Sequence, residues 1–324
     1  MVESLIEQAA GRSSDGPAVV ALGGGHGLFA SLSAWRRVVP DLTAVVTVAD
    51  NGGSSGRLRH EFGVLPPGDL RMALAALCGD DEWGRTWAEV VQHRFAGHGE
   101  MEGHALGNLL IVGLWEILGD QVKALDLVGR LLGAEGRVLP MSTTPMDITA
   151  EVTDADGRVA QVRGQVEVAT TEGRIRSIRL DPDGVDACPE AVAAVREADW
   201  VVLGPGSWYT SVIPHLVVPQ LREALTTTAG RVVVVLNLEP QQGETHGLRP
   251  EDHLAALLEH APDLRIHRVV ADPSSVPDPD ALAEAARRLG GELVLGEIAL
   301  GDGTPRHDPD RLADLFRAMV REAR

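Results

Sequence analysis

The chain has 324 residues, of which 44% are hydrophobic and 23% charged, so it can bury a sizeable core. Its formal net charge of −18 would repel nucleic-acid phosphates and anionic lipid surfaces, which argues against both as partners. No run of about 18 apolar residues is present to insert into a membrane, and two cysteines are too few for a disulfide framework. We therefore predict a cytoplasmic protein with buried free thiols at Cys78 and Cys188.

Residues 1–16 are polar, lack the apolar run of a signal peptide, and are predicted to form a flexible leader. In the rest of the chain, short apolar runs recur that are typical of strands buried on both faces of a parallel sheet. They lie at 18–22, 44–48, 200–203, 232–236 and 266–270. Amphipathic stretches such as 191–198 and 253–258 separate most of these runs. This alternation predicts an α/β fold with a Rossmann-like, doubly wound, mainly parallel sheet.

Two segments depart from this alternation. Residues 65–135 resemble consecutive helices, and we predict a helical insert there. Residues 147–180 alternate apolar and polar side chains, with good hairpin turns at Asp156-Gly157 and Glu172-Gly173. We interpret this second segment as a small antiparallel meander, and 17–324 as a single domain that carries both excursions.

The first predicted strand runs into a glycine-rich loop, Gly23-Gly24-Gly25-His26-Gly27, which precedes a predicted helix. Glycines permit a tight turn and let backbone N–H groups approach a phosphate at the helix N-terminus. The dinucleotide fingerprint is not met, because Leu28 occupies the place of its third glycine, and the P-loop signature is absent. We predict that Gly24, Gly25, His26 and Gly27 bind a phosphate; the alternative is a plain tight turn.

The second predicted strand ends in a polar loop that begins at Asp50. An acid at this position of a doubly wound sheet is well placed to accept a hydrogen bond from a ribose hydroxyl. The loop also supplies hydroxyl groups, glycine amides and one positive charge. Its candidate ligand residues are Asp50, Asn51, Gly53, Ser54, Ser55 and Arg57.

Two short segments of the helical insert follow this loop. Gly68, Asp69 and Arg71 come after two prolines, and Asp69 can either cap the next helix or line the pocket. His104 and Asn108 open an apolar helix, where His104 is as well explained as a structural cap as a ligand contact. We include all five residues among the ligand contacts.

The second half of the chain repeats this pattern of a strand followed by a glycine loop. The strand at 200–203 leads into Gly204-Pro205-Gly206-Ser207, which opens another helix and again offers free amides. No His/Asp pair is positioned to make Ser207 a nucleophile, so we predict no catalytic residue. The candidate ligand residues of this half are Gly204, Gly206, Ser207, Thr210, Asn237, Glu244 and Arg306.

Histidines are frequent between the predicted helices of the insert. His93, His98 and His104 are separated by five and six residues, and these spacings fit no usual zinc pattern. We predict no metal site.

Seven stretches of the sequence resemble the YvcK family, formerly called gluconeogenesis factors, within the CofD-like superfamily. They are 23–27, 46–59, 65–71, 103–110, 204–214, 237–245 and 306–309, and they occur in the family's order. The resemblance implies a CofD-like fold, binding of UDP-N-acetylglucosamine or UDP-glucose, and a role in cell shape and peptidoglycan synthesis under gluconeogenic growth. It implies no required cofactor, and NAD as a second ligand. It leaves the protein partners in envelope synthesis and homo-oligomerisation open.

The sequence departs from the family's pattern at two positions. Many members have threonine where His26 stands, and many have a second aspartate where Asn51 stands. Loss of that acid weakens metal-assisted phosphoryl transfer, since divalent ions prefer paired carboxylates. The alternative function is that of the superfamily's enzymes, the 2-phospho-L-lactate transferases of deazaflavin cofactor biosynthesis, whose acidic loop differs from 52–57. We therefore predict a binding or regulatory protein rather than an enzyme.

Overall fold

A computed structural model describes residues 16–241 and 243–323 and contains two β-sheets. The strands are β1 (Ala18–Gly23), β2 (Asp41–Val46), β3 (Arg137–Pro140), β4 (Asp147–Thr153), β5 (Val159–Arg163), β6 (Arg174–Asp181), β7 (Trp200–Leu203), β8 (Arg231–Val235), β9 (Arg268–Ala271) and β10 (Glu292–Leu295). The larger sheet has seven strands in the order β10-β9-β8-β7-β1-β2-β3, and every neighbouring pair in it is parallel. This confirms the predicted doubly wound α/β fold.

Helices lie between the strands of both sheets and after the last strand. They are α1 (Gly25–Trp35), α2 (Gly53–Phe62), α3 (Gly68–Ala76), α4 (Glu82–Gln92), α5 (Leu106–Leu118), α6 (Gln121–Leu132), α7 (Gln165–Ala169), α8 (Pro189–Glu197), α9 (Pro214–Val217), α10 (Pro219–Thr227), α11 (Pro250–His260), α12 (Pro279–Arg288) and α13 (Pro309–Glu322). A π-helix (Trp208–Val212) and a 3₁₀-helix (Pro273–Ser275) complete the set within the described residues. No helix in this part of the chain is both long and apolar enough to cross a membrane.

The five predicted parallel strands are all present, because uninterrupted apolar runs are stable only where both faces of a strand are covered. All four residues of β7 are buried, as are the valines 232–235 of β8. The strand β3, which lies at the edge beside β2, was missed. The predicted leader 1–16 falls almost wholly outside the described residues.

The two excursions have different outcomes. The insert is helical, as predicted, with α3, α4, α5 and α6 in succession. The second excursion is a small antiparallel sheet, as predicted, but the meander was wrong in its order: β4 is the central strand and pairs with both β5 and β6, so β5 and β6 are not neighbours. The turn at Asp156-Gly157 joins β4 and β5, but Glu172-Gly173 joins no hairpin. The second half of the predicted strand 159–168 is instead the short helix α7.

The order of strands creates a switch point between β1 and β7. From β1 the chain proceeds to β2 and β3 on one side, and later from β7 to β8, β9 and β10 on the other. Loops that leave neighbouring strands in opposite directions open a crevice at the carboxyl edge, where ligands of doubly wound folds bind. The two predicted glycine loops follow β1 and β7, so both line this crevice.

Candidate functional site

The two glycine loops are in direct contact across the switch point. A Cβ placed on Gly27 would lie 2.2 Å from the carbonyl oxygen of Pro205, and one on Gly24 would lie 3.1 Å from Ser211 Oγ. Gly25 has a φ of +57°, in the left-handed region that favours glycine. Close packing therefore requires glycine at positions 24 and 27, and the backbone conformation favours it at position 25. His26 lies in the first turn of α1, and its side chain is exposed.

Two carboxylates lie beside the first glycine loop. Asp69, on α3, accepts a hydrogen bond from the backbone N–H of Gly25, and its Oδ2 would be 2.5 Å from a Cβ at Gly24. Burial, reinforced by the nearby charge of Asp50, raises the pKa of Asp69 to about 7. Asp50 accepts a bond of 2.8 Å from the N–H of Gly52 at the start of α2. A Cβ at Gly68 would be 3.5 Å from Asp50 Oδ2, so the starts of α1, α2 and α3 converge around this acidic pair.

A buried hydrogen-bond network joins the start of α2 to the start of α5. Ser54 Oγ lies 3.0 Å from His104 Nδ1 and accepts bonds from Asn108 Nδ2 at 3.0 Å and from the N–H of Ala105. Burial, and then the charge of Arg57, lower the pKa of His104, which favours the neutral ring. This network holds the polar loop after β2 in place. Ser55 is also buried, with its Oγ 2.3 Å from the position of a Cβ on Gly68.

Two of the three arginines predicted to face the ligand are engaged elsewhere. Arg57 donates to the carbonyl oxygens of Glu100 and Glu102 at 2.9 and 2.6 Å, which anchors the loop before α5. Arg71 is buried and donates to Gln92 Oε1, and burial lowers its pKa to about 10. Both guanidinium groups therefore contribute charge to the region through space while their hydrogen bonds support the helical insert.

The second glycine loop is fixed from the end of β8. Asn237 forms two hydrogen bonds with Gly206, accepting from its N–H at 2.9 Å and donating to its carbonyl oxygen at 2.8 Å. Gln241 Nε2 donates to Ser207 Oγ at 2.9 Å. Gly204 and Gly206 have φ values of +74° and +149°, which other residues rarely adopt. Asn237 is thus a support of the loop in this structure.

The side chain of Glu244, in the segment after β8, lies beside the start of the π-helix that follows the second glycine loop. It is only 4% exposed, and neither carboxylate oxygen has a hydrogen bond of ordinary geometry. Burial raises its pKa to about 7, while the Thr210 hydroxyl and the N–H groups of residues 208–210 oppose that rise. Thr210 is itself buried, with its hydroxyl outside ordinary hydrogen-bond geometry. The amides that the sequence suggested were free for a phosphate therefore face a carboxylate of the protein.

A polar cavity of about 320 Å³ lies beside Glu244, between the small sheet and the start of α11. Glu172, Arg174, His246 and Asp252 are among its lining residues. No residue of either glycine loop lines it, so it is separate from the crevice at the switch point.

Asn51 and Arg306 differ in their surroundings. Asn51 contacts α7 of the small sheet, accepting from the N–H of Val166 and donating to Glu167. Arg306 is exposed on the loop between β10 and α13. That loop is anchored by Asp272, which accepts from the N–H groups of Ile298 and Ala299, so Arg306 is carried at the carboxyl edge of the sheet.

The structure thus brings most of the predicted residues to one edge, and adds supports that sequence reasoning missed. The Thr47 hydroxyl at the end of β2 donates to the Ser211 carbonyl oxygen at 2.7 Å, which ties the two halves of the crevice together. A polar residue inside the apolar run 44–48 was the available signal. Within 16–241 and 243–323, no three His, Cys, Asp or Glu side chains are grouped to hold a metal ion.

Comparisons with known proteins agree with this architecture. The family model described as 2-phospho-L-lactate transferase CofD matches residues 19–292. A gluconeogenesis factor of Bacillus subtilis is 34% identical over 320 residues, covering 94% of this chain and 99% of the relative. A Mycobacterium tuberculosis relative, also named as a gluconeogenesis factor, is 52% identical over 301 residues, covering 91% and 88%. A Bacillus halodurans crystal structure, described as a member of the UPF0052 family, superposes with a TM-score of 0.83 at 32% identity, covering 93% and 98%.

Proposed function

The chain belongs to the CofD family and, within it, to the gluconeogenesis factors, and from that premise we propose that it is a regulatory protein that binds a nucleotide-sugar. The ligand we propose is UDP-N-acetylglucosamine or UDP-glucose. The contact between two glycine loops at the switch point carries the proposal. Such loops would bring backbone N–H groups close to a diphosphate, and Asp50, in the loop after β2, would accept a hydrogen bond from a ribose hydroxyl.

The biological role that we propose follows from the same family membership. In this proposal the nucleotide-sugar reports the supply of envelope precursors, and a protein partner in peptidoglycan synthesis reads the bound state to support cell shape during gluconeogenic growth. NAD is a second ligand that the crevice would accept. The protein would act in the cytoplasm, without nucleic acid.

Calorimetry of the full chain against UDP-N-acetylglucosamine tests this function. We expect a dissociation constant of about 1 μM, which corresponds to roughly −8 kcal/mol. UDP-glucose, NAD and GDP serve as comparison ligands in the same experiment. Folded protein that gives no heat with either UDP-sugar at millimolar concentration would rule the proposal out.

A second candidate is the transferase activity in the description of the matching family model, 2-phospho-L-lactate transfer. The acidic pair Asp50 and Asp69 is the observation that favours it, since converging carboxylates suit a divalent ion. Incubation with the deazaflavin alcohol, an activated phospholactate donor and magnesium tests it. We expect no product, and product at enzyme-like rates would make this candidate the function.

A further inference from the structure

The side chain of Asn51 makes two hydrogen bonds with the short helix α7. Its Oδ1 accepts the N–H of Val166 at 2.9 Å, and its Nδ2 donates to Glu167 Oε2 at 2.8 Å. Asn51 sits directly after Asp50, whereas α7 lies more than 100 residues later in the small sheet. These two bonds use one donor and one acceptor of the amide, and together they fix the orientation of the Asn51 side chain against α7.

The fit between α7 and the loop after β2 is close on the backbone as well. A Cβ on Gly52 would lie 2.8 Å from Val166 Cγ2, and one on Gly164 would lie 2.6 Å from Asn51 Nδ2. Gly164 has a φ of +108°, which lets the chain turn from β5 into α7 at this point. The start of α7 is thus placed against the loop that carries Asp50.

The other end of α7 contacts the segment after β8. The N–H of Glu244 donates to the carbonyl oxygen of Ala169 at 3.3 Å, and a Cβ on Gly243 would be 2.2 Å from that oxygen. Glu244 in turn faces the first amides of the π-helix beside the second glycine loop. The helix α7 therefore lies between the segments that carry the two walls of the crevice.

We propose that Asn51 is a positioning residue which acts through Glu167 and α7 to set the spacing of the two walls of the ligand crevice. This inference rests on the proposed function, because it concerns the same crevice. It assigns the small antiparallel sheet a purpose, namely to hold α7 between the loops after β2 and β8. It also replaces the direct ligand contact that the sequence suggested for Asn51.

A swap of donor and acceptor tests the proposal in the full chain. In Asn51→Asp, the bond from Val166 is retained but a carboxylate faces Glu167, so we expect UDP-N-acetylglucosamine affinity to fall about five- to tenfold. In the double variant Asn51→Asp with Glu167→Gln, the glutamine amide donates to the new aspartate. Its net charge equals that of the natural chain, and we expect affinity within about twofold of it.

Single variants at Glu167 provide the matched controls. Glu167→Gln retains an oxygen that accepts from Asn51, so its affinity should stay within about twofold, whereas Glu167→Ala should lose about as much as Asn51→Asp. Glu116→Gln, on the exposed surface of α5, controls for loss of one negative charge. If Asn51 instead contacted the ligand, the double variant would bind no better than Asn51→Asp, and that result would overturn the proposal.

Amide hydrogen exchange separates this inference from the proposed function. Asn51→Asp should increase exchange at Val166 and at residues 243–248, and Glu167→Gln in the double variant should restore protection. Unchanged exchange at 243–248 in Asn51→Asp would contradict the proposal even if no UDP-sugar binds. Absence of binding by the natural chain, with exchange as expected, would instead contradict the proposed function alone.

Discussion

Asp69 and Glu244 are the residues whose environment differs most from the sequence-based expectation. Each is a carboxylate placed beside backbone N–H groups at the start of a helix, Asp69 at Gly25 and Glu244 at residues 208–210. Burial raises the pKa of each to about 7. A carboxylate with this pKa is only partly ionised near neutral pH, so its charge responds to whatever enters the crevice.

Asp69→Asn should change how stability depends on pH. The pKa of Asp69 in the folded chain is raised above the unfolded value, so its contribution to stability is present below pH 3.8 and is lost as pH rises through about 7. Between pH 6 and 8 the natural chain should therefore lose about 1 kcal/mol of unfolding free energy that the variant keeps. Urea denaturation of both proteins at pH 6, 7 and 8 measures the difference. A constant difference across that range would mean that Asp69 is fully ionised throughout.

Arg306 is exposed at the carboxyl edge of the sheet, and its guanidinium makes no hydrogen bond to another described residue. The variant Arg306→Ala therefore tests whether this arginine contacts the ligand. A charge-assisted contact with the diphosphate would make the variant bind UDP-N-acetylglucosamine roughly tenfold more weakly. Arg317→Ala, at a partly exposed position of α13, is the control, since its guanidinium pairs with Asp314 alone among the described residues. Calorimetry on variants with unchanged melting temperatures decides the matter. Equal affinities for both variants would place Arg306 outside the ligand site.

At the residue scale, sequence reasoning identified which residues lie near the candidate site better than it identified what their side chains bind. Asp50 and Asp69 follow from rules about strand ends and helix starts, which are local. The bonds of Asn51, Arg57 and Asn237 depend on partners 116, 43 and 31 residues away, and no local pattern specifies them. Polar residues near a glycine loop therefore looked like ligand contacts, although the fold uses several of them as supports.

Secondary-structure elements were predictable where their pattern was long or fully apolar. The strand β3 was missed because it has only four residues, of which the first is arginine and the last proline. The helix α7 was missed because 159–168 alternates well enough to predict one strand. The predicted strand is interrupted at Gly164, whose positive φ ends β5, and the residues that follow form α7, which is held by its tertiary contacts with Asn51. A short and atypical pattern thus explains the first error, and competition between local pattern and long-range contact explains the second.

Two glycine-to-alanine variants should have opposite effects on stability. At Gly27 the new Cβ would lie 2.2 Å from Pro205 O and 2.7 Å from Gly206 Cα, both backbone atoms that cannot move aside easily. We expect Gly27→Ala to lower the unfolding free energy by about 1 to 3 kcal/mol and to weaken ligand binding. Gly113 is inside α5 with open space around it, so Gly113→Ala should raise stability by about 0.5 to 1 kcal/mol. Chemical denaturation measures both, and a tolerated Gly27→Ala would show that the loops need not touch.

At the scale of the whole molecule, the fold must bring an anionic ligand to an acidic protein. The chain carries a formal charge of −18, and the crevice adds Asp50 and Asp69 on one wall and Glu244 near the other. Helix starts and backbone amides attract phosphates locally, but they attract these carboxylates as well. Protonation of the carboxylates would relieve this conflict, since two of them have pKa values of about 7.

Binding of a UDP-sugar should therefore be coupled to proton uptake. A diphosphate near Asp69 and Glu244 disfavours their ionised forms and raises both pKa values further, so the complex holds more protons than the free protein. At pH 7.5 we expect an uptake of about one proton per ligand, and affinity that increases as pH falls from 8 to 6. Calorimetry in phosphate and in Tris, whose ionisation enthalpies differ, measures the uptake directly. Asp69→Asn and Glu244→Gln should each remove part of it, because neither amide titrates. Equal binding enthalpies in the two buffers would mean that the diphosphate stays remote from both carboxylates, and the ligand would then have to lie on a different part of the carboxyl edge.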